Sequence, residues 1–471
     1  MATPTDIGRP FRFYTSIKSL LNRYMKPATS APAATVSLRP AITGTLLFLF
    51  ILGDVLGAGI YALMGVLAKE VGGALWAPLL LALLTAGSYA ELVTKYPKAG
   101  GASVFAERAY KLPVVSFLVG FAMLAAGITS AAGLSLAFAG DYLATFINVP
   151  RVPAAMAFLL LVALVNARGI KESMGANMFM TVVELSGLLI VMAAGLIMFS
   201  QGRADASRVM AFPAGVNPAI ATLGGAIIAY YAFVGFETSA NVAEEIKDPS
   251  RTYPRALFGS LCVAGLVYVG VGLASAVVLP PAELAGSTGP LLAVVKASGI
   301  AVPGWLFSLI ALIAVANGAL LTMIMSSRLT YGMAHQGLLP PKLGEVLPKR
   351  RTPWIAIVVT TICALGLIAI GNLQALAELV VLLLLFVFIS TNVAVLVLRK
   401  DRVAHPHFTV WTFVPVLGVL SCVLLLTQQS AQVWGFGALF VVVGVALYAL
   451  ARLKSKPLAA VSDLSGTSPG H

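Results

Sequence analysis

Charge is scarce in this chain. Only 10% of its 471 residues are charged, against 59% hydrophobic, and the mean hydropathy is +0.94. A soluble chain has no use for that much apolar surface, so a lipid bilayer is the expected solvent. Cysteine is nearly absent. Cys262, Cys363 and Cys422 all fall in apolar runs, which excludes a disulfide framework and reads as buried small hydrophobes. The four histidines, His335, His405, His407 and His471, lie in expected loops or tails. No intramembrane His/Cys/Asp/Glu group has metal-ligand spacing, so neither a metal nor another cofactor is expected. No GxxxxGK[ST] loop is present, which excludes ATP binding by that route and disfavours a pump. Residues 1–40 are polar and basic and lack the apolar core and cleavage site of a secretory signal.

What fills the chain instead is apolar runs of about 20 residues. Twelve are expected, near 42–67, 74–94, 113–142, 151–168, 176–199, 218–243, 255–279, 303–331, 354–371, 374–398, 409–427 and 433–452. The fold class is therefore an all-α integral membrane protein with an even number of spans. The net charge of +13 does not point to nucleic acid, because the cations sit in short loops between the spans. With the N-terminus in the cytoplasm, 26 of the 31 Lys and Arg residues face inside. Only Lys69, Arg151, Arg203, Arg208 and Lys296 face outside, so both termini are expected to be cytoplasmic. The stretch RPFRFYTSIKSLLNRYMK reads equally as a surface-bound amphipathic helix or a solvated tail, and 453–471 as a disordered tail.

Spans one and six are unusual. Span one carries GDVLGAGIY, with Gly57-Ala58-Gly59 near its middle and Asp54 one turn earlier. Span six carries AYYAFVGFETSANVAEE, with Gly235 ahead of Glu237. Gly53-x-x-x-Gly57 alone suits close helix packing. The repeat of the oddity in the first helix of each five-span block points instead to helices broken at mid-membrane, around a site between inverted repeats. The blocks are 42–199 (spans one to five) and 218–398 (six to ten), flanked by a tail at 1–41, spans eleven and twelve at 409–452, and a tail at 453–471. Unpaired backbone groups survive in a bilayer only where they line a cavity or bind something. The half-helix beginning near Gly59 offers N–H groups and a positive dipole end to an anion. The carbonyls of Ala232, Phe233 and Val234 suit a cation. Together they describe a zwitterion, most simply an α-amino acid.

Deep carboxylates are costly, about 2.5–3.5 kcal/mol each on insertion scales, so Asp54, Glu184 and Glu237 each need a reason. Glu91, Asp141 and Glu378 lie near span ends and read as interfacial ion pairs or helix ends, Glu91 beside Lys95. No Lys or Arg falls between Lys171 and Arg203, so Glu184 has no cationic partner in its own helix. Such a group can take up and release a proton as a cavity dries and wets. Glu184 and Asp54 are the expected proton-coupling residues. The alternative for Glu184 is a permanent hydrogen bond to a neighbouring helix. Glu237 is expected either to close a gate with a Lys or Arg or to bond backbone freed by the break.

The residues resemble one known family. GAGIY in span one, SYAELVTKYPKAGGASVFAERAY after span two, YYAFVGFETSANVAEEIKDPSRTYPRAL from span six and SSRLTYGMAHQGLLPPKL closing span eight resemble the amino acid–polyamine–organocation permeases over about residues 40–450. The resemblance implies a LeuT-like five-plus-five inverted repeat with two peripheral helices. It implies that the substrate carboxylate binds at Gly57, Ala58, Gly59 and Ile60, and the amine at the Ala232, Phe233 and Val234 carbonyls. It implies also a gating aromatic, Phe233 or Phe236, with Glu237. One departure stands out. Some proton-coupled members carry a fifth-span lysine in place of a sodium ion, and here that place holds Glu184. The lysine mechanism therefore does not carry over, and sodium held by Asp54, Glu184 and Thr322 stays an alternative to the proton. Asn317 and Thr322 are expected cavity liners or interhelical hydrogen-bonders.

The leading expectation is a secondary active amino acid transporter of the cytoplasmic membrane, a proton-coupled symporter working by alternating access. The alternative is an exchanger or uncoupled facilitator. A membrane enzyme, a channel or a sensor fits less well, since no paired catalytic residues and no large soluble segment occur. The small glycines and alanines with aromatics hint at a neutral or apolar substrate. A homo-oligomer is compatible with the sequence, which carries no mark of it.

Overall fold

The computed structural model describes residues 42–79, 86–98, 100–287, 289–347, 350, 352–370 and 373–454. The expected amphipathic N-terminal segment, the C-terminal tail beyond 454 and the middle of the expected 74–94 span lie outside them. Residues 38–444 form one unit. The described part of the other, 445–454, is the end of the last helix.

The described structure is helical, with one isolated parallel β-bridge between Ile42 and Ile246. Leaving aside helical turns of four to six residues, fifteen α-helices are described. They are α1 Gly44–Leu56, α2 Ala58–Val71, α3 Ala86–Lys95, α4 Gly101–Tyr110 and α5 Pro113–Phe138. Next come α6 Arg151–Arg168, α7 Ile170–Ser200 and α8 Pro218–Phe233. A 3-10 segment, Phe236–Glu245, follows α8. The remaining helices are α9 Pro249–Val278, α10 Pro290–Ser298, α11 Gly304–His335, α12 Trp354–Ile370, α13 Leu373–Leu398, α14 Phe413–Thr427 and α15 Ala431–Lys454. Among the described residues, eight helical stretches have the length and hydropathy to cross a membrane, and the apolar stretches 354–370, 413–427 and 433–449 are shorter.

The core follows from composition. α11 is 83% buried over its most apolar window, whereas α6 is 33% buried. α5 packs between α11 and α13, and α7 packs on α1, α9 and α11. Large apolar side chains also face outward: Leu196, Leu266 and Ile362 are 69%, 70% and 62% exposed on α7, α9 and α12. That inversion is what lipid permits. It also corrects the reading of the cysteines. Cys422 is buried, but Cys262 and Cys363 are exposed on α9 and α12, because an apolar side chain in a bilayer has no need to be inside.

Candidate functional site

Two helices stop inside the bundle. α1 ends at Leu56, and Gly57 (φ −41°, ψ −154°) turns the chain before α2 begins at Ala58. No side chain caps the start of α2, so its first N–H groups have no side-chain acceptor. α8 ends at Phe233, and Val234 and Gly235 carry the chain into the 3-10 segment. Gly235 is required twice over. Its φ of +132° belongs to glycine, and a Cβ there would lie 2.7 Å from the Asp54 carbonyl oxygen. Gly59 is a close approach too: a Cβ on it would meet the Ala232 Cα at 2.8 Å. Gly59 and Gly235 thus stand at close backbone approaches, and Gly57 and Gly235 lie just past helix ends.

The loose ends of the breaks are tied by side chains. Glu237 Oε2 accepts from the Gly235 N–H at 2.9 Å, and no Lys or Arg pairs with Glu237 among the described residues. Of its two expected partners, Glu237 therefore takes the freed backbone. The Thr238 hydroxyl reaches Asp54 Oδ2 and also the Gly235 carbonyl at 2.8 Å. Tyr268 of α9, which sequence reasoning did not single out, sits between the breaks with its ring fully buried. Its hydroxyl reaches the carbonyls of Val55 and, at 2.9 Å, Ala232. One phenol proton thus serves one carbonyl from each broken helix, one at a time.

Between the breaks lies a narrow cavity, with about 30 Å³ open to the centres of water-sized molecules. Of the expected site residues it gathers Asp54, Gly59, Ala232, Val234, Glu237 and Thr322. Thr322 spends its hydroxyl on its own helix, bonding Gly318 O at 3.0 Å. Residues not foreseen complete the wall, among them Ser130, Tyr231, Thr238 and Met325. Gly57, Ile60, Phe233, Phe236, Glu184 and Asn317 do not line it. The Phe233 ring packs edge-on to Tyr268 at 5.0 Å. That of Phe236 stacks on Phe388 at 5.6 Å and meets Tyr89 at 5.5 Å.

Glu184 and Asn317 belong to a second polar cluster, fully buried between α1, α7 and α11. Asn317 Nδ2 stands 3.4 Å from both Glu184 Oε2 and Thr181 Oγ1. The Tyr61 hydroxyl donates to the Glu184 carbonyl at 2.7 Å. Glu91 is an ion-paired carboxylate, but its partner is Arg399, at 3.0 Å. The neighbouring Lys95 donates to the Leu398 carbonyl. Asp141 opens a short helix, Asp141–Ala144, where a carboxylate is favoured.

This architecture has counterparts. The family described as amino acid permease matches residues 45–447. The chain belongs to the amino acid permease family. It is similar to the methylthioribose transporter of Bacillus subtilis, 27% identical over 92% of this chain and 98% of that protein. The branched-chain amino acid permease BcaP of Bacillus subtilis is 26% identical over 86% of this chain and 92% of that one. The mitochondrial cationic amino acid transporter 3 of Arabidopsis thaliana is 28% identical over 81% and 67%. Among solved structures, a manganese transporter variant from Eremococcus coleocola superposes with a TM-score of 0.54 over 91% of this chain and 97% of that one. At 14% identity this likeness bears on fold alone. The permease is thus a multi-pass membrane transporter of a small molecule, and not an enzyme.

Proposed function

We propose that the permease carries an α-amino acid across the cytoplasmic membrane by alternating access, coupled to a proton, with both termini in the cytoplasm. The observation that carries this reading is the cavity bounded by both helix interruptions. At one wall stands Gly59 of the uncapped start of α2, where the N–H groups from Gly57 through Ala58 and Gly59 to Ile60 would meet a carboxylate as the half-helices part. At the other stand Ala232 and Val234, and an ammonium bound by the carbonyls of Ala232, Phe233 and Val234 would take the place of the Tyr268 hydroxyl on Ala232. Val55, Ala126, Leu134, Met325, Val380 and Leu384 supply an apolar wall, which suits a neutral, apolar side chain. The space of about 30 Å³ holds a water or two rather than an amino acid. Loading therefore requires the half-helices to part, which is what two interrupted helices in five-plus-five inverted repeats, within twelve spans, make cheap. Phe236 and Glu237, on the segment that would move, form the gate with Phe233. Asp54 and Glu184 carry the coupling proton.

The test is uptake of a tritiated mixture of the standard L-amino acids into proteoliposomes, in sodium-free buffer, with and without an inward proton gradient. Wild type is compared with Glu184→Gln. Gradient-driven accumulation that is lost in the variant, with counterflow exchange kept, supports the proposal. Equal and gradient-insensitive uptake by both makes the permease an exchanger or facilitator, and a strict need for sodium makes sodium the coupling ion. No uptake of any amino acid removes the substrate class.

A further inference from the structure

Two buried acceptor oxygens stand without donors in the cluster behind α1. Glu184 Oε1 and Asn317 Oδ1 are both unpartnered, although neither side chain is exposed at all. The other ends of the same two groups are loosely joined, Asn317 Nδ2 to Glu184 Oε2 at 3.4 Å. An ionised carboxylate can only accept, and the amide oxygen can only accept. One added proton cures both deficits: a carboxyl O–H donates to Asn317 Oδ1 while Asn317 Nδ2 donates to the remaining carboxyl oxygen. Burial makes such orphan acceptors costly, so the two protonation states of this pair differ in how well the cluster holds together.

α1 rests on this cluster. A Cβ on Gly53 would lie 1.9 Å from Thr181 Oγ1, 2.9 Å from Asn177 Oδ1 and 3.0 Å from Asn317 Nδ2. Thr181 Oγ1 is also within 3.4 Å of the Leu49 carbonyl on α1. The next residue after Gly53 is Asp54, which lines the cavity. The titratable groups that interact with Glu184 are Asp54 of α1, Tyr61 of α2 and Tyr268 of α9. No Lys, Arg or His forms an ion pair with it among the described residues.

We propose that Glu184 and Asn317 form a proton-carrying pair in which Asn317 is the positioning residue that transmits the protonation state of Glu184 to α1. The proposal rests on the proton-coupled reading above and gives it a device. With the proton on, the pair is closed and α1 is seated against α7 and α11. With the proton off, the amide has no donor for its oxygen and the seat loosens. One proton is taken up from one compartment and released to the other in each cycle.

The experiment compares wild type, Glu184→Gln and Asn317→Leu in sodium-free proteoliposomes, by uptake of the tritiated amino acid mixture and by infrared spectroscopy. The pair predicts a carboxylic-acid C=O stretching band that Glu184→Gln removes and Asn317→Leu shifts. It predicts that Asn317→Leu lowers gradient-driven accumulation about tenfold, within the usual span of coupling between sites, with counterflow exchange retained. Glu184→Gln, whose amide donates as the protonated acid would, keeps a melting temperature at or above wild type. That variant guards the test if Asn317→Leu does not fold. An unshifted band with unchanged accumulation in Asn317→Leu overturns the assignment, as does a Glu184→Gln protein less stable than wild type. If wild-type uptake ignores the gradient, the proton-coupled reading fails instead, and the band alone still reports whether the pair exists.

Discussion

Removing Arg399 isolates a buried carboxylate, and the cost can be worked from its surroundings. Arg399 Nε and Nη2 meet Glu91 Oε1 and Oε2 at 3.2 and 3.0 Å, joining the end of α13 to α3. The Glu91 side chain is 2% exposed and that of Arg399 23%. In Arg399→Met, Glu91 keeps the Val410 N–H at 2.9 Å and the charge of nearby Lys95, with no other hydrogen-bond donor among the described residues. Breaking a buried pair from one side costs about 3–5 kcal/mol. The partial exposure of Arg399 places this pair at the low end, about 3 kcal/mol, or roughly 150-fold in the folding equilibrium. Glu91→Gln is the milder change. The amide oxygen still accepts from Val410, and Arg399 keeps Thr412 Oγ1 at 2.6 Å, the Val410 carbonyl and some solvent. Its cost is about 1 kcal/mol, the scale of one hydrogen bond. Denaturant titration of the purified permease in detergent, on both single variants and the double, measures the costs and their coupling. The reasoning is refuted if Arg399→Met costs less than about 0.5 kcal/mol, the range of an ordinary surface change, or if Glu91→Gln costs as much as Arg399→Met.

Tyr268→Phe leaves the Val55 and Ala232 carbonyls without their donor, so the substrate-free protein should lose about 1–3 kcal/mol; an unchanged melting temperature would show that the hydroxyl ties nothing. Gly59→Ala forces α2 away from Ala232 and should cost about 1–3 kcal/mol by overpacking, whereas Gly57→Ala, whose Cβ meets the Asp54 and Gly53 carbonyl oxygens at the longer distance of 3.3 Å, should cost less. Equal folded yields of the two would contradict that contact. Gly235→Ala meets both a forbidden backbone angle and the Asp54 carbonyl, and should be more damaging than either in the same yield assay. Asp205, in the loop before α8, is held below the usual carboxylate range by the Ser207 hydroxyl, with the Ser207 N–H and Arg208 adding to it. A depressed folded value means stability that is present above the ordinary carboxylate range and lost as pH falls through the folded value. The melting-temperature gap between wild type and Asp205→Asn should therefore be seen at neutral pH and close in acid.

Much of this permease was legible residue by residue. Hydrophobic runs reveal membrane helices because backbone polar groups in lipid must be satisfied within the segment. The glycines at 57 and 235 show where two helices stop, since few residues tolerate such turns inside an apolar run. Both are local facts. The partners were not local. Glu91 was placed beside Lys95 in the chain, but Arg399 completes it from 308 positions away. Phe233 and Phe236 were chosen as residues of the broken helix, yet their rings pack on Tyr268 and Phe388 rather than facing the cavity.

Composition and pattern by themselves determined the solvent, the helical class and the positions of the interruptions, because each depends on one segment meeting lipid or breaking within itself. Only the tertiary structure decided which group satisfies which. It put Tyr268 across two freed carbonyls, turned Glu237 onto Gly235 and faced Glu184 with Asn317. A buried donor or acceptor is indifferent to sequence distance. It takes the partner that packing brings within about 3 Å, and packing is a property of the whole chain.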